Sequence, residues 1–277
     1  MVSYEGMWEP GEPGIAADLR PEVPHPARMY DYYLGGKDNF PADREAAERA
    51  LAANPEFRST ARANRGFLTR AVRCVAGLGI DQFLDIGTGI PTAGNTHEIA
   101  QAVDPGARVL YVDNDPIVLA HARALMGGTA VGRTTVIQSD LRRPAGLLAD
   151  AEAEKLLDFD RPMALVLAAV LHFVRDEEGP YDVVRTLLDT LAPGSHLILS
   201  HGTADFLPAE VRDRVTGVYS QATAPLVGRS REQVRAFLDG LEVLDPGVVT
   251  VPLWRPEAAP GAGAERVSMY GAVARKP

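Results

Sequence analysis

Cysteine is nearly missing from this chain: Cys74 is the only one in 277 residues. One thiol builds neither an intrachain disulfide nor a cysteine metal cluster, which fits a reducing compartment. Long apolar runs are missing as well. The longest, residues 163–171, falls far short of the ~20 residues a membrane helix needs and reads as a buried strand. Positive charge is in deficit. Twenty-eight Lys and Arg against 37 Asp and Glu give a net charge of −9, and an extended nucleic-acid footprint needs a basic surface. Nucleic acid and membrane are therefore not expected as partners. The six histidines show no metal-site spacing, so no metal is expected. Residues 1–14 are acidic and rich in Gly and Pro, without the basic end and apolar run of a signal peptide, and a cytoplasmic setting is the expectation.

What is present is the balance of an ordinary globular α/β chain, 46% hydrophobic and 23% charged. Residues 1–24, with five Pro or Gly in the first fourteen, read as a loose tail. Residues 25–80 read as a helical cap, with helices at 43–53 and 56–77; in the second, Phe57, Ala61, Asn64, Leu68, Ala71 and Val75 recur at helical spacing. From residue 81 to 277 strands and helices alternate. Strands are expected at 82–86, 108–112, 134–138, 163–169 and 196–200, with helices at 96–103, 116–126, 147–157 and 177–191 between them. That rhythm predicts a parallel sheet with right-handed crossovers. Helical stretches at 208–223 and 230–238 and a closing pair of strands, 248–253 and 267–274, complete seven strands.

Three acids carry the functional signal. In Phe83-Leu-Asp-Ile-Gly-Thr-Gly, an apolar strand delivers Asp85 and then turns on Gly87-Thr88-Gly89 toward a helix. Such glycines let a ligand approach the backbone. A dinucleotide site would carry a third glycine at position 92, which is Thr92, and Asp85 would repel a pyrophosphate. A ligand with an ammonium group and no phosphate suits the carboxylate; S-adenosylmethionine is one. Strand two ends in Asp113, as recognition of a sugar diol requires, while Asp115-Pro116 reads as a helix start. Strand three runs into Asp140-Leu141, an acid that can accept from an adenine amino group beside a residue that covers the ring.

These motifs, with the strand-four segment LAAVLHF and LAPGSHLIL, resemble the S-adenosylmethionine-dependent class I methyltransferase superfamily. PHPARMYDYYLGGKDNF, QFLDIGTGIPTAGNTHE and YVDNDPIVLAHARAL are more closely similar to a bacterial family of candidate methyltransferases with little assigned function. The resemblance implies a Rossmann-like sheet of seven mostly parallel strands, the last antiparallel, with helices on both faces and a helical cap. It places Asp85, Gly87 and Gly89 at the methionine end, Asp113 at the ribose, and Asp140 with Leu141 at the adenine. Thr88, Asn114 and Ala169, in the same motifs, complete the cofactor set. Pro91 departs from the wider superfamily, where a third glycine is common.

His172 stands where small-molecule O-methyltransferases place a catalytic histidine, although Phe173 replaces their usual acid. It reads as a general base for a hydroxyl acceptor, or as a side chain packing beside the cofactor. Tyr30, Tyr33, Lys37 and Asn39, in a dense polar-aromatic loop around the Gly35-Gly36 pair, read as a lid over the site, or equally as packing that anchors the cap. Arg65 could reach the cofactor carboxylate or an anionic substrate, and His201 is a weaker substrate-site candidate. The reaction expected is methyl transfer to a small-molecule acceptor, against an NAD-dependent dehydrogenase or a non-catalytic nucleoside-binding protein. If His172 is a base, His172→Ala cuts turnover in a methyl-transfer assay and leaves cofactor affinity nearly intact.

Overall fold

A computed structural model describes residues 20–92, 94–125 and 133–277. Five parallel strands form the body of one mixed sheet: β1 (Gln82–Ile86), β2 (Arg108–Asp113), β3 (Arg133–Gln138), β4 (Ala164–Ala168) and β5 (His196–Gly202). Three more follow, β6 (Glu242–Val243), β7 (Val249–Thr250) and the long antiparallel β8 (Met269–Arg275). The spatial order is β3-β2-β1-β4-β5-β8-β6, with β7 also paired to β8. Every residue of β1 is buried, the signature of a parallel strand covered on both faces.

The order reverses between β1 and β4. In an open α/β sheet the crevice beyond the carboxyl ends at such a reversal is where ligands bind, so topology alone locates the site at the ends of β1, β2 and β4.

Helices cover both faces. On one, α6 (Pro144–Ala153), α7 (Pro180–Thr190) and α9 (Arg231–Ala236) set Leu147, Leu187 and Val234 against Leu84, Leu110 and Leu165. On the other, α3 (Phe57–Gly77) and α4 (Thr96–Val103) set Phe67, Val72 and Ile99 against Phe83, Val109 and Val166. The helix α5 (Pro116–Leu125) completes the crossover from β2 to β3; residue 126, expected to continue it, lies outside the described residues. A third cluster joins α1 (Pro26–Leu34), α2 (Pro41–Ala53) and α8 (Ala209–Tyr219) around Met29, Tyr33, Ala46, Ala47, Ala50, Val215 and Tyr219.

Two expectations need correction. The aromatic stretch after His25 is a helix rather than a loop, because its ends are well capped. His25 Nδ1 accepts from the Ala27 N–H, Pro26 sits in the first turn, and Gly35 closes the helix at φ 86°. Gly36 is required for a different reason: a Cβ there would fall 1.9 Å from Asp31 Oδ1. The sheet also has eight strands, not seven. Val248–Leu253 pairs only over Val249–Thr250, since Val251–Leu253 turns into a 3-10 helix at Pro252, while β6 is two residues long and too short to leave a period in the sequence.

Among the described residues no helix is long and apolar enough to cross a membrane. The seam between α3 and β8 is tight: a Cβ on Gly271 would sit 2.9 Å from Phe67 Cε2 and 3.0 Å from Val251 Cγ1. Gly271→Ala is therefore expected to cost about 1–3 kcal/mol by overpacking. Urea unfolding should show the lowered midpoint, with the slope unchanged.

Candidate active site

At the reversal of strand order lies a cavity of about 450 Å³, within the ordinary range for a ligand site. Asp85, Gly87, Thr88, Gly89, Asp113, Asn114, Asp140, Leu141 and Ala169 all line it. So do Tyr30 and Arg65 from the amino-terminal helices.

Each acid is held differently. Asp85 accepts from the Thr96 hydroxyl at 2.6 Å, and burial pushes its carboxyl up to about 6. Asp113 accepts backbone N–H groups from Gly89 and Asp115, both at 2.9 Å. Burial raises it to about 6 as well, against those hydrogen bonds. Asp140 is opposed by burial too, but Arg142 grips both its oxygens, at 2.9 and 2.7 Å, and holds it below the usual carboxylate range. The glycine turn cannot carry side chains. Gly87 has φ +75° and an added Cβ would lie 2.3 Å from Val170 Cγ2, while Gly89 has φ +65°.

The helix cap supplies a wall that sequence reasoning placed less fully. His25, Pro26, Ala27 and Arg28 line the same cavity. The His25 backbone N–H donates to Asp43 Oδ1 at 2.8 Å, and Arg28 Nε lies 3.3 Å from the same oxygen. Asp115 starts α5 as expected, its Oδ1 accepting from the Ile117 N–H at 2.9 Å. Its Oδ2 is buried in the cavity wall and accepts no hydrogen bond, with His25 Nδ1 at 3.3 Å and Arg28 Nε at 3.8 Å. Burial lowers His25 to about 4, outweighing Asp115, so its ring is neutral near pH 7. The signal for this wall was present as His25-Pro26, a helix start, but its chemistry depends on contacts 18 and 90 residues away.

A smaller chamber of about 90 Å³ adjoins the first; Pro26, Tyr30 and Phe173 line both. His172 and Tyr33 line this second chamber and not the first. The Gly202 N–H donates to His172 Nδ1 at 3.0 Å, so the ring proton sits on Nε2. Burial lowers His172 well below the ordinary histidine value, and His201 and Arg229 add to this. In this arrangement its Nε2 has a proton to offer and no lone pair to take one, which runs against the expected base. Lys37, Asn39 and His201 line neither space. Lys37 is exposed, whereas Asn39 donates to Asp31 at 2.7 Å and knots the chain after α1. His201 is fully buried; Nδ1 donates to the Gly202 carbonyl at 2.7 Å and Nε2 accepts from Arg229 at 2.9 Å. Among the described residues no group of three His, Cys, Asp or Glu is placed to hold a metal ion.

The family model described as S-adenosyl methyltransferase matches residues 14–277. The chain belongs to this family. The crystal structure of a DUF574-family protein from Streptomyces avermitilis is 47% identical, with a TM-score of 0.89 over 94% of this chain and 100% of that one. A candidate methyltransferase from Thermobifida fusca is 37% identical, with a TM-score of 0.86 over 93% and 97%. A search of functionally curated proteins finds no match. The protein is thus an S-adenosylmethionine-dependent methyltransferase on a Rossmann-like sheet, and the dehydrogenase alternative falls away.

In the wall of the methyltransferase site Ala169 is strained, at φ +58°. Its N–H donates to Ser200 Oγ at 3.0 Å, and that hydroxyl donates to Asn64 Oδ1 at 2.6 Å. Asn64 Nδ2 in turn donates to Tyr30 Oη at 3.0 Å, and Tyr30 donates to the Ala61 carbonyl at 3.1 Å. Ser200→Ala strips a buried partner from Asn64 and is expected to destabilise by about 1–3 kcal/mol. Denaturant melts of the two proteins give the difference, and Ser200→Ala with Asn64→Ala should cost less than the sum of the single changes.

Proposed function

We propose that this methyltransferase acts on a small-molecule acceptor, with the cofactor in the larger cavity and the acceptor in the chamber beside it. The observation that carries the reading is the pair of spaces, joined at Pro26, Tyr30 and Phe173 and roofed by α1 and α8. A chamber of that size encloses a small molecule or one end of it. The residues present fit the cofactor. The cavity wall offers carboxylates from Asp85, Asp113, Asp115 and Asp140, which suit an ammonium group, sugar hydroxyls and an adenine amino group. Asp85 and the glycine turn hold the methionine end, Asp113 the ribose, and Asp140 with Leu141 the adenine. Arg65 serves the cofactor carboxylate, and Thr88, Asn114 and Ala169 complete the backbone cradle. Bound S-adenosylmethionine supplies an electrophilic methyl group on a sulfonium. The protein's part is alignment of the nucleophile and exclusion of water. We place α1 and α2 together as the cap, with Tyr30 as the wall between cofactor and acceptor.

Ionisation gives the test. Asp85 and Asp113 are charged above about 6, and the ammonium group and ribose hydroxyls that cofactor and product share prefer the charged forms. Affinity is therefore full above that pH and lost as pH falls through it, by up to about tenfold per unit for each proton taken up. In the free protein the same shifts act the other way: the stability they contribute is full below the ordinary value of 3.8 and lost as pH rises through about 6. Calorimetric titration with S-adenosylhomocysteine at pH 5 and pH 7.5 should show the weakening at low pH. Asp113→Asn should weaken binding at least about tenfold at pH 7.5. Equal affinities in Asp113→Asn and wild type would remove Asp113 from the site.

A further inference from the structure

The smaller chamber bears on what the acceptor is, provided it takes the acceptor as just proposed. Its wall is aromatic. Phe57 stacks on Tyr33 with centroids 5.2 Å apart, and Tyr219 lies 6.2 Å from Phe57 and 6.0 Å from Phe173. Such a wall favours a flat ring in offset or edge contact. Its volume of about 90 Å³ is below the ~150 Å³ of an apolar cavity that takes one benzene, so a single ring fits only by extending through the opening at Pro26, Tyr30 and Phe173 toward the larger cavity.

Among the described residues its lining carries no anionic side chain: there is no Asp or Glu, and the one permanently charged side chain is Arg212, exposed on α8 at the rim. His172 presents Nε2–H, which has no partner among the described residues. The Ser268 hydroxyl is buried without a hydrogen-bond partner. His172 Nε2–H can only donate, and the Ser268 hydroxyl can donate as well as accept. A cationic acceptor would find no counter-charge here, whereas an anion would find three donors.

No lining group is set to remove a proton. Tyr33 and Tyr219 hydrogen-bond each other at 3.1 Å, and burial raises both, Tyr219 to about 12. Tyr30 already donates to the Ala61 carbonyl and is likewise raised by burial. His172 lines the chamber, holds its proton on Nε2 and has its other nitrogen occupied by Gly202.

We propose that the acceptor is a small aromatic ring carrying an ionised oxygen, which enters already as the anion. The oxygen lone pair forms the new bond to the methyl carbon as the carbon–sulfur bond breaks, and that pair of electrons passes to sulfur. The oxygen ends neutral and the sulfonium ends as a thioether, so no proton has to leave and no base is needed. His172 is a positioning donor that holds the anion by Nε2–H.

The test is calorimetry on the full-length protein saturated with S-adenosylhomocysteine, titrated with 4-nitrophenolate, benzoate and benzylamine. At least one anion is expected to bind about tenfold or more tighter than benzylamine. Preference for the first anion identifies an aryl oxide, preference for the second an aryl carboxylate. His172→Asn keeps an acceptor for the Gly202 N–H but lacks the reach of Nε2, and should weaken the tighter anion about tenfold with S-adenosylhomocysteine affinity unchanged. His172→Gln, whose amide N–H falls near the position of Nε2, should stay within about threefold of wild type. Benzylamine binding as tightly as the anions, neither anion binding, or His172→Asn binding the anion like wild type would each overturn the proposal. Failure of S-adenosylhomocysteine itself to bind would overturn the cofactor placement, and the proposal with it.

Discussion

A single hydroxyl, that of Ser200, joins the parts of this enzyme that must agree with one another. It accepts from the N–H of Ala169, whose positive φ turns the chain out of β4 at the cofactor cavity, and donates to Asn64 on α3. Asn64 passes the contact to Tyr30, which with Pro26 carries α1 into the walls of both spaces. Strained backbone persists only where its surroundings over-determine it. Here the surroundings are two strands and two helices, and the same bonds that hold Ala169 fix where the cap begins. A buried polar chain of this sort is fully satisfied or costly, which leaves little freedom for α1 to sit elsewhere.

A second tie acts on the far side of the cavity. Asp43, fully buried in α2, receives the backbone N–H groups of His25 and Phe40 at 2.8 Å each and lies beside Arg28. Through His25 and Arg28 the cap meets Asp115, at the start of α5. The cap is thus held at both edges by polar contacts and between them by apolar packing of α1 and α2 on α8. This explains how helices outside the sheet can contribute walls as well defined as the strand ends. It also places four charged or ionisable groups in one buried knot, where desolvation is offset only by their mutual arrangement.

The sheet was legible because its strands are buried on both faces and leave unbroken apolar runs between helical periods. The three acids proposed for the cofactor were legible near the strand ends: Asp113 closes β2, Asp85 lies one residue before the end of β1 and Asp140 two residues beyond β3. Asp85, Asp113 and Asp140 do share one cavity. What was not legible depends on distant contacts. The His25 cap and the left-handed Gly35 make a helix of a stretch whose composition suggested a loop. His172 drew notice as a base, but its tautomer is set by a backbone N–H thirty residues away. Lys37 and Asn39 looked like site residues because polar and aromatic side chains crowd there, whereas Asn39 spends its amide on Asp31 and Gly36.

The alanines of α2 have a consequence for how this enzyme can change. Ala46, Ala47 and Ala50 are fully buried beneath α1, and their small side chains set how closely that helix approaches. Neither cavity is lined by any of the three. Adding a methyl or two at one of them would overpack this seam and press on α1, the helix that carries Pro26 and Tyr30. Substrate range can therefore drift across a lineage through residues that no ligand touches, and comparison of lining residues alone would miss the cause.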